Sequence, residues 1–529
     1  MIKVRNAVIL AAGAATRFVP LSLEQPKGLY EVNGQRLIDR QIEQLLEAGI
    51  TDITIVLGYK KEMFYYLEAK YGVKFIVNPA YNVKNNIESL RLAKNIMGDT
   101  YVCSSDDYFV ANPFNKEESY SFYAGCRVGY RTNEMYVDLS ENNRIVFMEK
   151  GRPSGRILVG HSFWDRAFCD SFFGFVEADI AEGKYNNSFW EWLVKDNLTS
   201  LPPFYFKEYS LGFIHEFDYF EELRDFDKTY VSNSNSKIIT NIKSVFKCAD
   251  ADIVNFRCIN EGLTNTSFIF QIAGDDYIYR HPGEGTEKII NRRNERISLE
   301  NAKAIGVDPT YIYMDVNEGW KVSHFVPAFR EPDYSSFEDS KMVIKVMRYL
   351  HSSTVKVDYG LRPWEDACDI EVLLKANDPH CFEPYERLKT RIGKLYDSTI
   401  GDGVQKCFCH GDTYCHNWMF EPSGNVILID WEYAGYSDPG IDVGYYIVDA
   451  MYDVNTAKVF IREYLRDNWS LELEKHYLVY TALIAYYWFV WAMYRESFGA
   501  NMGESLVNWK RMAIYYSQVV FESKYEKNC

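Results

Sequence analysis

The sequence predicts an α/β chain of two domains, and three observations carry that expectation. Short apolar runs alternate with helical patterns from Asn6 to about Asp227, a polar Ser-Asn stretch interrupts that texture, and a hairpin signal followed by long helical stretches fills the remainder. Alternation of strands and helices belongs to a mostly parallel sheet with helices on both faces. Asn6–Leu10 reads as the first strand and leads into small, glycine-bearing sequence. Leu37–Ala48 has helical periodicity, Ile53–Leu57 is a second strand, Lys61–Lys70 looks helical, and Phe75–Asn78 is a third strand. Thr229–Asn241, TYVSNSNSKIITN, reads as a linker. Beyond it, Phe268–Ile272 and Tyr277–Arg280 flank Gly274-Asp275-Asp276, a hairpin signal, and Ile289–Ala304 is a charged amphipathic helix. The expected division is 1–228, a linker over 229–240, and 241–529, without an internal repeat.

Composition narrows the function classes. The 529 residues are 47% apolar and 25% charged, the balance of a globular protein rather than of a disordered or collagenous chain. A net charge of −16 argues against a nucleic-acid partner, which a basic surface would advertise. The eleven cysteines are scattered without a CxxC pair, Cys407 and Cys409 being the closest in sequence. With no signal peptide pattern, the expectation is reduced thiols in a cytoplasm and no structural zinc. Tyr477–Tyr494 is free of charged residues and reaches the lower length of a membrane span. Its Tyr and Trp residues run through its length rather than gathering at the ends, so a buried helix is expected and stable membrane insertion is not. Oligomeric state is not legible.

Leu10-Ala-Ala-Gly-Ala-Ala-Thr-Arg17-Phe18 leaves the first strand through a turn of small residues, Ala12, Gly13 and Ala14 among them. Small residues let main-chain N–H groups come close to a polyphosphate, and Arg17 and Lys27 could offset its charge. Tyr101–Asp107 ends a strand-like run with two carboxylates. Ligands of open α/β sheets sit at such carboxyl ends, where Asp106 could hold Mg²⁺ against nucleotide phosphates. The plainer alternatives are a tight strand-to-helix turn and an aspartate that caps it.

These residues resemble the nucleotidyltransferase family, whose pattern is LAAGxGxR, then PK, then an acidic strand end, with Ala15 here at the second glycine. The bacterial CTP:phosphocholine cytidylyltransferase branch is closer still. Its pieces are Asn85-Asn86-Ile87-Glu88-Ser89, Thr132-Asn133-Glu134, Gly155-Arg156-Ile157 with Ser162-Phe163-Trp164, Phe189-Trp190-Glu191, and His215-Glu216-Phe217-Asp218. The resemblance implies that Arg17 and Lys27 bind and activate the triphosphate and that Asn86 and Ser89 lie near the nucleotide. It implies that Asp106 binds Mg²⁺, with a second metal carboxylate among Glu216, Asp218 and Glu191. Tyr136, Trp164, Trp190 and Glu191 are its candidates for the choline end, since a quaternary ammonium is held by aromatic faces and a carboxylate. The branch often has Trp where Met135 stands here, so Tyr136 is the replacement ring or the substrate differs.

His410-Gly411-Asp412 is followed five residues on by Asn417, and Asp430 ends a strand-like run further on. Asp, Asn and Asp in this order are the polar set of a kinase-like fold: Asp412 to accept a hydroxyl proton, Asn417 and Asp430 to hold Mg²⁺. Thr264 and Asn265 precede a strand where a phosphate-covering loop belongs, Arg280 takes the place of the strand lysine, and Glu295 could pair with it. This half resembles the choline kinases, a branch of the aminoglycoside-phosphotransferase-like kinases with a bilobal protein-kinase-like fold. The family's choline pocket falls on Tyr433, Trp488 and Trp491, with Glu432 and Asp442 nearby. The two tryptophans are three apart and share a helix face.

Together the resemblances imply a bifunctional enzyme that binds choline, ATP, phosphocholine and CTP and uses Mg²⁺. One half would phosphorylate choline, and the other would transfer CMP to phosphocholine. The rivals are the same reactions on another amino-alcohol such as ethanolamine, a sugar-phosphate nucleotidyltransferase fused to a kinase, and a non-catalytic sensor.

Overall fold

The computed structural model describes residues 1–529 except 180–182, 231–234, 260–265, 284–289, 499–501 and 526–529; the side chains at 377 and 523–525 also fall outside it. The chain divides into two compact units, Met1–Ile259 with Phe268–Asp275, and Asn260–Ser267 with Asp276–Cys529.

The first unit is built on a nine-stranded sheet. Its strands are β1 (Asn6–Ala11), β2 (Ile53–Leu57), β3 (Lys74–Val77), β4 (Thr100–Ser104), β5 (Phe122–Val128), β6 (Met135–Leu139), β7 (Ile145–Lys150), β8 (Gly155–Trp164) and β9 (Tyr205–Tyr209). The order is β7-β6-β8-β4-β1-β2-β3, with β5 pairing β8 and β9. β4, β1, β2 and β3 are parallel, whereas β8 joins β4 antiparallel and β6 and β7 continue in that sense. The parallel core predicted from sequence is present in β4-β1-β2-β3, and antiparallel strands extend it into a mixed sheet. The reason is connection length: β6 and β7 are joined through a five-residue turn, Ser140–Arg144, too short for a parallel crossover.

Both faces of the parallel strands are covered, which is why they read as unbroken apolar runs. Ile9, Ile55 and Cys103 pack with Ile38, Ile42 and Leu45 of helix Leu37–Glu47. Val8, Val56 and Val102 pack on the other face with Leu90 of helix Asn86–Ala93 and Phe168 and Phe172 of helix Arg166–Asp179. Because Leu10 lies beside Ser104 in the register, the loops after β1 and β4 leave the sheet side by side. Strand Asp107–Phe109 pairs antiparallel with Ile214–Glu216, bringing Glu216 opposite Asp107.

Helix Lys237–Phe246 opens inside the stretch that the sequence reads as linker. Ser236 caps it by accepting from the Ile239 N–H, and Ile238, Ile239 and Ile242 bury its apolar face. The turn at Gly274 comes one residue early, with Ala273 at φ 54° and Gly274 at φ 92°.

In the second unit, β10 (Asp275–His281) and β11 (Tyr311–Met314) flank β12 (Lys321–His324), antiparallel to both. Asn291 caps helix Arg292–Ala304. β13 (Cys407–Cys409) pairs antiparallel with β14 (Gly435–Ser437). Trp418–Phe420 pairs antiparallel with Val426–Leu428. Helices surround Leu471–Ser497, which packs against Pro363–Asn377, Glu386–Asp397, Gly440–Asp449 and Gly503–Tyr525. Among the described residues this is the one helix long and apolar enough to cross a membrane, yet 94% of its apolar window is buried inside the unit. A helix apolar on all sides needs such a surround.

Candidate active sites

The first site is a cavity of about 710 Å³ at the carboxyl ends of β1 and β4. Ala12, Gly13, Arg17, Lys27, Asn86 and Ser89 line it, as do Asp106, Glu216 and Asp218; Ala14 does not. The loop's conformational demand falls on Ala15, at φ 48°, the position of the pattern's second glycine. An alanine held there costs about 1 kcal/mol, the scale of left-handed strain in an L-residue. Gly28 is needed for another reason: a Cβ would lie 2.9 Å from Ser105 Cβ. That approach presses the Pro26-Lys27 segment onto the end of β4. There the Lys27 ammonium sits 2.6 Å from Asp106 and 3.5 Å from Asp218, and Arg17 lies 3.4 Å from Asp218. Burial opposes the Lys27 charge, but Asp106, Glu216 and Asp218 hold the ammonium above its ordinary value.

The two neighbouring carboxylates part at a strand boundary, Asp106 lying in the turn after β4 and Asp107 opening the next strand. Asp106 opens onto the cavity, whereas Asp107 is buried and neither of its oxygens has a hydrogen-bond partner. Burial, then Asp106, pushes the Asp107 carboxyl well above the usual range. Glu216 is exposed where it faces the cavity, and desolvation by the protein packed behind it, followed by Asp106, raises its carboxyl too. Three carboxylates converging on one buried ammonium form a hard oxygen donor set, which fits Mg²⁺. Asn86 accepts from the Trp190 N–H at 2.9 Å, and Ser89 accepts from Asn78 at 3.0 Å.

Of the four residues assigned to the choline end of this unit, Trp164 and Trp190 meet edge-on at 5.0 Å with Glu191 next along the helix, whereas Tyr136 lies apart. Tyr136 lies fully buried in the core on the Ile9 face, its hydroxyl bonded to Tyr130 O and Thr132 N–H. Met135 lies with Trp164 and Trp190 on the other face, because adjacent strand residues point to opposite sides. Trp164 is fully buried and donates its indole N–H to Ser162 Oγ at 2.7 Å. Tyr123 joins this group, stacked on Trp190 at 5.0 Å and donating to Glu191 Oε1 at 3.0 Å. Glu191 Oε2 is buried without a partner. Glu134 belongs to the same electrostatic neighbourhood, facing Asp218, Lys150, Arg17 and Lys27.

Burial pushes Glu191 up to about 7, against the hydrogen bonds from its own backbone and Tyr123. The folded state thus keeps a proton that the unfolded chain gives up at the usual carboxylate value. This group's contribution to stability is present at low pH and is lost as pH rises through about 7. Denaturant titrations at about pH 5 and about pH 8 should show this loss in the wild type and a smaller one in Glu191→Gln.

The second site grows from the end of β13. Gly411 is at φ 84°, and a Cβ there would lie 2.4 Å from the Tyr433 carbonyl oxygen. Asp442 accepts from the His410 N–H at 2.8 Å and the Gly411 N–H at 2.7 Å, and His351 Nε2 lies 2.9 Å from it. Burial opposes the Asp442 charge, yet His351 and the loop amides hold its carboxyl below the ordinary value. Asp442 is therefore the anchor of the loop that presents Asp412. Asn417 donates to the Asp412 carbonyl at 2.9 Å, and the Asn417 carbonyl accepts from Ile429 N–H at 2.9 Å, joining the loop to the segment bearing Asp430. Burial, then Asp430 and Glu432, pushes the Asp412 carboxyl well above the usual range, which strengthens it as a proton acceptor.

Asp430, at φ 69°, is gripped by Arg280 at 2.8 Å and Lys321 at 3.4 Å. Burial notwithstanding, these cations hold its carboxyl at about 2. Arg280 also pairs with Glu295, which Arg292 meets from the other side at 2.8 Å. Glu432 is drawn to this cluster, 3.6 Å from Arg280 and 3.5 Å from Arg292, rather than to the aromatic residues. The Glu295, Asp430 and Glu432 oxygens lie within 4.8 Å of one another, and Asn417 adds an amide oxygen near Asp412, a donor set that also fits Mg²⁺. Thr264 and Asn265 lie outside the described residues.

Beside Asp412 is a cluster of rings. Trp488 meets Tyr433 edge-on at 5.1 Å, stacks on Tyr445 at 4.9 Å, and lies 5.2 Å from Trp491 and 5.7 Å from Trp509. The indole N–H groups of Trp488 and Trp491 are buried without acceptors. Tyr445, Trp509, Arg292, Lys321 and Tyr123 are absent from the sequence-derived set. Tyr445 lies twelve residues after Tyr433 on helix Gly440–Asp449, the one signal that could have found it.

A family model described as nucleotidyl transferase matches residues 6–117, and one described as phosphotransferase enzyme family matches residues 327–474. Among curated proteins, a choline-phosphate cytidylyltransferase of Streptococcus pneumoniae is 36% identical over 223 residues, 42% of this chain and 97% of that protein. A 2-aminoethylphosphonate cytidylyltransferase of Lancefieldella rimae is 33% identical over 230 residues, 43% of this chain and 93% of that protein. Among solved structures, the S. pneumoniae CTP:phosphocholine cytidylyltransferase matches at 36% identity and TM-score 0.41, covering 43% of this chain and 99% of that one. The S. pneumoniae choline kinase matches at 24% identity and TM-score 0.48, covering 53% of this chain and 98% of that one.

Proposed function

We propose a two-step enzyme from the premise that this chain belongs, through its N-terminal unit, to the nucleotidyltransferase family that includes the choline-phosphate cytidylyltransferases. The second unit phosphorylates choline with ATP. The first transfers CMP from CTP to the phosphocholine, giving CDP-choline and pyrophosphate. Both nucleotide substrates, ATP and CTP, being water-soluble, we place the reactions in the cytoplasm.

The observation that carries the choline reading is the ring cluster next to Asp412. Tyr433, Tyr445, Trp488 and Trp491 offer chiefly π faces, which suits a trimethylated amine, whereas a primary ammonium would need more hydrogen-bond acceptors than the two tyrosine hydroxyls supply. Asp412 takes the hydroxyl proton of choline as its oxygen attacks the γ-phosphorus of ATP, the bond from that phosphorus to the bridging oxygen breaks, and ADP leaves. Asn417 and Asp430 would hold Mg²⁺, which supplies neutralisation of phosphate charge. Arg280, positioned by Glu295, faces the nucleotide phosphates. In the first unit a phosphocholine oxygen attacks the α-phosphorus of CTP, and pyrophosphate leaves. Lys27 and Arg17 neutralise the triphosphate, and Asp106, Glu216 and Asp218 would hold Mg²⁺ beside them.

A second reading concerns the acceptor of the first unit. Met135 stands on the Trp164 face where related enzymes often carry Trp, and a 2-aminoethylphosphonate cytidylyltransferase is among the relatives. An aminophosphonate or ethanolamine phosphate is the competing acceptor. A phosphorus NMR time course with choline, ATP, CTP and Mg²⁺, run beside ethanolamine and 2-aminoethylphosphonate, decides. Phosphocholine followed by CDP-choline supports the first reading; product from the primary amines alone overturns it. Trp488→Ala should raise KM for choline by roughly 30-fold, the loss of about 2 kcal/mol of desolvated cation–π contact, with KM for ATP unchanged.

A further inference from the structure

Cys407 and Cys409 are the two ends of β13, and residues two apart on a strand point to the same side. Their sulfurs lie 3.6 Å apart. Cys409 is buried, its thiol also directed at the Ser437 carbonyl across the strand pair, whereas Cys407 is partly exposed. His351 completes a tight group with them. Both its ring nitrogens are already engaged, Nε2 with Asp442 and Nδ1 with the Tyr464 hydroxyl at 2.8 Å, so the group is a thiol pair beside a committed imidazole rather than a ready metal site. The residue after Cys409 is His410, the start of the loop that presents Asp412.

We propose that Cys407 and Cys409 close a reversible disulfide when a hydroperoxide reaches them, and that this closure disables the phosphoryl-transfer site. The roles divide by environment. The hydrogen bond from Cys409 holds the Cys407 thiol below its ordinary value, against burial and with help from His351, while burial keeps Cys409 protonated. The Cys407 thiolate attacks the peroxide, the O–O bond breaks, and the departing alkoxide or hydroxide takes a proton, leaving Cys407 as sulfenic acid. The Cys409 sulfur then attacks the Cys407 sulfur. The S–S bond forms, the S–O bond breaks, and the hydroxyl leaves as water with the Cys409 proton. Two thiols are oxidised, and one hydroperoxide is reduced to an alcohol and water.

Geometry makes this bond consequential. Two strand residues span roughly 6.6–6.8 Å between Cα atoms, the upper edge of what a disulfide bridges. Closure therefore shortens or twists β13. Its end is tied directly to the His410 and Gly411 amides held by Asp442, so the distortion passes to Asp412. A bond strained in this way is also readily reduced, as a switch requires.

The test treats the full chain with hydrogen peroxide and follows both half-reactions. Phosphoryl transfer to choline should fall about 100-fold, the scale for an ångström-sized misplacement of a reacting group, and CMP transfer to supplied phosphocholine should not change. The peptide carrying Cys407 and Cys409 should be two hydrogens lighter and linked between them, and dithiothreitol should restore thiols and activity together. Cys407→Ser should keep its activity under the same dose, its CMP transfer reporting that the chain is folded. Parallel inactivation of wild type and Cys407→Ser, or inactivation with both thiols still free to alkylate, overturns the proposal. The activity readout rests on the kinase reading. If that reading fails, the untreated chain transfers no phosphoryl group; the disulfide is still read by mass, and hydrogen exchange over 410–417 then reports whether closure moves the loop.

Discussion

Asp412→Asn should slow phosphoryl transfer to choline by about 1,000-fold, the middle of the range for a general base, while CMP transfer to supplied phosphocholine stays at the wild-type rate. The loop that carries Asp412 is held by groups other than its side chain. Asp442 takes the His410 and Gly411 amides, and Asn417 donates to the Asp412 backbone carbonyl. The amide thus removes proton acceptance without releasing the loop. The carboxyl it replaces lies among Asp430 and Glu432, in burial that raises its proton affinity, so the substitution relieves repulsion rather than leaving an unpaired charge. A split between folding and function follows: melting temperature held or raised, kcat lost, KM for choline little changed because the rings remain. Thermal melts and separate assays of the half-reactions check it. Equal loss in both half-reactions, or a lowered melting temperature, would mean that Asp412 supports structure.

The alternation of strands and helices was legible because both faces of the parallel strands are buried, so Asn6–Ala11 and Ile53–Leu57 stand out as apolar runs. The positions of Asp106 and Asp412 were legible for a related reason: each follows the end of a strand, where the chain must turn and polar chemistry can be exposed without cost to the core. Side-chain direction was less accessible. Tyr136 seemed able to stand in for a ring at 135, but period-two alternation sends the two positions to opposite cores. Glu432 and Tyr433 are neighbours in sequence, yet one joins the arginine cluster and the other the ring cluster. Trp509 meets Trp488 only because helices Leu471–Ser497 and Gly503–Tyr525 pack together, a long-range event with no local signature. Lys321 is likewise a lone cation in a strand until the fold places it on Asp430.

The other large effect is expected at Asp106. Asp106→Asn should cut CMP transfer by about 1,000-fold, as removal of one preorganised charge partner at a phosphoryl site does, with choline phosphorylation intact. Two consequences combine. The site loses a carboxylate that opens on the cavity where Mg²⁺ would sit. Lys27, only 11% exposed and 2.6 Å from Asp106, loses its nearest counter-ion and is left with Asp218 at 3.5 Å. The ammonium then turns toward Asp218 and away from the triphosphate, so KM for CTP should rise together with the fall in kcat. Asp107→Asn is the informative contrast. That carboxyl is buried, unpartnered and pushed well above the ordinary range, so an amide there should cost little activity and should not weaken the fold. In a reaction started from choline, the Asp106 variant should accumulate phosphocholine without CDP-choline. If Asp107→Asn rather than Asp106→Asn stops CMP transfer, the metal carboxylate has been assigned to the wrong one of the two neighbours.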